Sequence, residues 1–89
     1  MLGNVNYLRL KNILLKYYKN SNVYIETVGV INTRYCIEKA KVNINRHKVI
    51  LLNENLDCTI LLDFIKKCKL KDIYHMEFYY EDSKVTLEI

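Results

Sequence analysis

The chain has 89 residues, 51% of them hydrophobic, with 14 basic and 10 acidic residues giving a formal net charge of +4. Half-apolar composition in periodic patterns excludes a disordered chain. No apolar run approaches the ~20 residues of a membrane helix, and a chain this short supports one core, so residues 1–89 are expected to form a single soluble domain. The modest charge permits nucleic-acid binding without demanding it.

Met1-Leu2-Gly3-Asn4 lacks the charged and apolar blocks of a signal peptide, so the cytoplasm is the expected location. Two glycines, no proline and no tryptophan, beside abundant Asn, Ile, Lys and Tyr, have the bias of AT-rich coding, as in a low-GC bacterium, its phages or plasmids. Cys36, Cys58 and Cys68 are too few for a disulfide scaffold, and none forms a Cys-x-x-Cys pair. They read as free thiols, mostly buried.

From Asn4 to Asn20, Tyr7, Leu10, Ile13, Leu14, Tyr17 and Tyr18 recur at helical spacing, with Leu8 and Leu15 widening the stripe. The apolar arc covers about half the helix, more than the ~100° needed to lie on one sheet. Tyr7, Leu10, Leu14, Tyr17 and Tyr18 are therefore candidates for an interface with a protein partner or with a second copy in a homo-oligomer. Packing entirely into the core is the competing reading.

Val23 to Ile31, Arg34 to Ile44 and Lys48 to Asn53 read as a three-stranded meander. Ile25 is out of phase with Val28 and Val30, and Tyr35 and Ile37 with Ala40, Val42 and Ile44, so bulges are expected near Glu26-Thr27 and Glu38-Lys39. Asp57 caps an expected second helix over Cys58 to Lys69, which buries Ile60, Leu61, Leu62, Phe64, Ile65 and Cys68 and leaves Lys66 and Lys67 in water. The run "TILLD" also fits a strand. At the end, Tyr74, Met76, Phe78 and Tyr80, then Val85, Leu87 and Ile89, alternate with polar residues around Asp82-Ser83, as in a β-hairpin with one dry face.

The expected fold is thus α+β: an N-terminal helix, a curled antiparallel sheet of about five strands forming a small barrel or roll, and a second helix between strands three and four. The helix followed by a meander loosely resembles Sm-like small barrels, but the second helix departs from that pattern and no signature residues match. In size and lack of motif the chain is similar to small phage or mobile-element proteins that inhibit host defence enzymes.

No nucleophile with a base, carboxylate pair, metal-ligand spacing or glycine-rich phosphate loop stands out, so neither an enzyme nor a cofactor or metal site is expected. His75 and Glu77 read as a solvated face with a cross-strand partner such as Lys84, and His47 as part of a polar turn. The leading expectation is a non-enzymatic protein-binding inhibitor or adaptor. The alternative is a small RNA- or single-stranded-DNA-binding domain holding phosphates with Arg46, Lys48, Lys66, Lys67, Lys69 and Lys71.

Overall fold

The computed structural model describes residues 6–89. One helix, α1 (Tyr7–Ile13), continues into a π-helical turn, Leu14–Tyr18, and eight strands follow. They are β1 (Val23–Val28), β2 (Thr33–Ile37), β3 (Lys41–Ile44), β4 (Lys48–Leu52), β5 (Asp57–Leu61), β6 (Lys67–Asp72), β7 (His75–Tyr79) and β8 (Lys84–Glu88). Among the described residues no helix is long and apolar enough to cross a membrane.

Asn6 starts the helix by accepting from the Leu8 and Arg9 N–H groups at 2.8 and 3.4 Å, a cap worth about 1 kcal/mol. The π turn closes with Lys19 N–H donating to the Leu14 carbonyl, and Asn20, at φ 65°, reverses the chain. The expected helix start at Asn4 lies outside the described residues.

The strands form two antiparallel sheets, five-stranded in the order β2-β1-β8-β7-β6 and three-stranded in the order β3-β4-β5. This corrects the single curled sheet, the barrel closure and the second helix. Arg34 to Ile44 is two strands, because Lys39 takes φ 49° and sends the chain from the larger sheet to the smaller. The phase change there is real, but it marks a change of sheet. Near Glu26-Thr27 there is no bulge: β1 pairs with β2 in unbroken register from Val23↔Ile37 to Thr27↔Thr33. The expected helix over Cys58 to Lys69 is instead β5, a 3-10 turn over Leu62–Phe64 and the start of β6. The final hairpin lies where its alternation placed it, in register Met76↔Leu87 and Phe78↔Val85.

One buried cluster joins all layers. The helix contributes Leu10, Leu14 and Tyr18, the larger sheet Ile25, Ile37, Met76, Phe78 and Leu87, and the smaller sheet Val49, Leu51 and Ile60. Tyrosine hydroxyls tie the sheets at their edges. Tyr35 donates to the Asp57 carbonyl at 3.0 Å, and the Leu61 N–H donates to Tyr80 Oη at 2.8 Å. Both acceptor and donor belong to the outer edge of β5, so hydroxyls of the larger sheet satisfy backbone groups the smaller sheet leaves unpaired.

Candidate functional site

The helix stripe is mostly core. Leu10, Leu14 and Tyr18 are fully buried, and Tyr7 and Tyr17 are half-buried against the same cluster. What the helix leaves outside is Leu8 and Leu15.

The basic candidates separate into two groups. Arg46 lies in the β3–β4 turn and Lys48 begins β4; the Arg46 guanidinium lies 5.0 Å from the centre of the Tyr7 ring, and His47 between them contacts Asp63 at 3.0 Å. Lys66 precedes β6, bonded through its N–H to the Tyr79 carbonyl. Lys67 and Lys69, by contrast, stand on the outer face of the five-stranded sheet opposite Tyr79 and Glu77. Lys71 occupies the register shift between Leu70 and Asp72 and turns to the same face, its Nζ 3.7 Å from Glu77.

Lys84, across from Tyr79 on β8, completes the group. The Nζ atoms of Lys67, Lys69 and Lys84 lie 5.7, 5.6 and 5.7 Å from the centre of the Tyr79 ring, within cation–π range. Beneath them Glu77 is only 6% exposed although it points away from the core, because the long side chains around it exclude water. It was expected to be solvated. Tyr79 Oη donates to it at 2.8 Å, His75 Nε2 lies at 3.4 Å and Lys84 Nζ at 3.7 Å. Burial alone would raise the Glu77 carboxyl, but the hydrogen bonds from Tyr79 and His75 and the charges of Lys71 and Lys84 outweigh it and hold the group below the usual glutamate value. Accepting from Tyr79 raises that phenol in turn.

Thiol chemistry is not favoured at the buried cysteines. Burial pushes the Cys68 thiol up to about 12 and also raises Cys58, so neither is a thiolate near neutrality.

A second surface lies at the tip of the β1–β2 hairpin. Val30 is 99% exposed and Ile31 74%, with Val28 also open to solvent. The tip is braced. The Gly29 N–H donates to Asn32 Oδ1 at 3.0 Å, and a Cβ on Gly29 would come within 2.9 Å of Ser83 Cβ, so only glycine lets the hairpin lie this close to the β7–β8 turn. On the other side of that turn an open groove is lined by Asp63, Phe64, Ile65, Lys66 and residues 80–83. Phe64 is 64% exposed at its rim. One end of the molecule therefore displays Val30, Ile31 and Phe64 around the acidic Glu81-Asp82. In the sequence Val30 and Ile31 read only as the end of a strand, and Phe64, with Leu61, as buried on the expected second helix, whereas the structure leaves Phe64 and Leu61 exposed; the out-of-phase Val28 and Val30 were the available signal.

No family model matches the chain, and no curated protein sequence or solved structure matches it either.

Proposed function

We propose that the protein is a non-enzymatic binding module that docks on a protein partner through the end formed by Val30, Ile31 and Phe64. The observation that carries this reading is the exposure of two β-branched residues on a braced hairpin tip. A Val-Ile pair this exposed contributes little to the fold, and apolar surface held out on a rigid support suits a docking anchor. Acidic Asp63, Glu81 and Asp82 nearby suit an apolar pocket rimmed by basic side chains. The test is Val30→Ser with Ile31→Ser, which should change stability by no more than about 0.5 kcal/mol. Affinity capture from the native host, compared between wild type and variant, should lose a specific protein. Identical captured sets would remove the tip from the binding surface.

A second reading has its own observation, the three ammonium groups around Tyr79. A phosphate chain laid over Lys67, Lys69 and Lys84 with a base against Tyr79 would suit single-stranded nucleic acid, although Glu77 opposes it. Anisotropy of labelled single strands at about 50 and 200 mM salt decides, since several phosphate contacts lose orders of magnitude in affinity over that range. No binding at the lower salt would leave the lysines as guards of the sheet edge.

A further inference from the structure

The four edge strands of the two sheets are not alike. β6 carries Lys67, Lys69 and Lys71, the charge that keeps a free edge from pairing. β5 is capped by the Tyr35 and Tyr80 hydroxyls. β3 is four residues long and follows Ala40, whose N–H and C=O are bonded to Ser21 and Asn20. β2 has only one of these devices, the charge of Arg34, which is paired with Glu26 within the sheet; among the described residues its backbone bonds lead to β1 alone, and its other edge is open.

The outer face beside this edge is also incomplete. Tyr24 pairs with Cys36, Glu26 with Arg34, and an open groove of about 490 Å³ runs along them. Tyr24 is 57% exposed. Arg34 Nε donates to Glu26 Oε2 at 2.6 Å, and the rest of its exposed guanidinium keeps donors not used in that contact. Glu38, in the turn just past the end of β2, has its carbonyl bonded by Asn53 Nδ2 at 3.1 Å, while its side chain is exposed and has no ion-pair partner among the described residues.

We infer that β2 pairs antiparallel with β2 of a second copy about a two-fold axis through Cys36, making one continuous sheet across the dimer. This interface is separate from the hairpin tip and does not depend on the docking role given to it. The register follows from charge. With Cys36 opposite Cys36 of the second copy, Arg34 of each chain faces Glu38 of the other, and Tyr35 faces Ile37 on the core side. Centring on Tyr35 would set Arg34 against Cys36 and leave both charges unanswered. The chosen register also extends the Tyr24–Cys36 row into its own symmetric image, so the exposed tyrosines flank a strip of thiols and backbone at the axis. A closed two-fold contact of this kind uses up both free edges and stops at two.

Sedimentation velocity over a dilution series should show a species of twice the chain mass that dissociates on dilution. Cys36→Lys, which opposes two ammonium groups at the axis, should abolish it. Glu38→Arg, on an exposed turn outside the sheet, should raise the dimer dissociation constant about tenfold by facing Arg34 with like charge. It decides the question should Cys36→Lys unfold the chain. Copper–phenanthroline oxidation should link the dimer through Cys36, two thiols giving up two protons and two electrons to the oxidant. Directly paired residues have Cα atoms ~4.5 or ~5.5 Å apart, both within disulfide reach. Cys36→Ser should prevent the link, Cys58 and Cys68 being buried. A chain monomeric at every concentration overturns the inference, whether or not it binds an extended peptide. A dimer indifferent to Glu38→Arg, or one that Cys36 does not cross-link, overturns it too.

Discussion

Tyr18 and Glu77 are polar side chains in places where polarity is costly, and they resolve the cost differently. Tyr18 is fully buried and its hydroxyl has no partner among the described residues. Removing a buried unsatisfied group removes its desolvation penalty, so Tyr18→Phe should raise stability by about 1 kcal/mol, read as a higher urea midpoint at unchanged slope. A loss of that size would mean the hydroxyl has a partner. Glu77 is fully answered, and its folded value lies below the ordinary glutamate value of 4.5. Its contribution is therefore complete above 4.5 and disappears as the pH falls through the lower folded value. Wild type should be more stable than Glu77→Gln at neutral pH, and the two should converge in acid. Parallel curves would assign Glu77 no linked role. Neither feature was legible beforehand, since alternation identifies the face that points away from the core but not which of its side chains the neighbouring lysines will cover.

At the scale of elements, the chain was readable where phase was continuous and misread where it broke. The last hairpin alternates without interruption and formed in the expected register, although Tyr74 is exposed and Glu77 and Thr86 on its other face are buried. Across residues 58–69, Cys58, Ile60 and Leu62 are buried with period two, then the 3-10 turn resets the phase so that Ile65 and Cys68 fall inside. Summed over the turn, the spacings imitate a helix. The strict alternation of "KCKLK" within β6 was the contrary signal, and the smaller sheet's need for a third strand could not be seen locally. The apparent slip between Ile25 and Val28 had a different origin: Val28 and Val30 are out of phase because they are outside the core altogether. The lysines of β6 are edge protection in this architecture, and that has a consequence. Lys67→Val with Lys69→Val places β-branched residues along an open edge, so light scattering on mild heating should report assemblies larger than those of wild type. Unchanged scattering would free these lysines for the phosphate-binding reading.

At the scale of the whole molecule, neither sheet has an independent core. The inner face of the five-stranded sheet is covered by the helix and by Val49, Leu51 and Ile60 of the smaller one, and the tyrosine hydroxyls close the seam. Three strands with one apolar face are at the margin of independent stability in water. The two sheets should therefore unfold together, and a cavity in the smaller should weaken the larger. Ile60→Ala removes a fully buried side chain from β5 and should cost about 2–5 kcal/mol. Hydrogen exchange tells more than a melting curve. In wild type the slowest amides of β4 and of β8 should open at one common free energy, and in the variant both should fall by the same amount. If β3–β5 amides exchanged at a lower free energy while β8 kept its protection, the smaller sheet would be a separately opening unit. The hairpin tip and β2 would then stand on the stable part alone. Common opening instead makes the presentation of Val30 and Ile31 depend on every layer of the fold, so that a core substitution thirty residues away in sequence weakens binding through the population of folded molecules and leaves the contact itself unchanged.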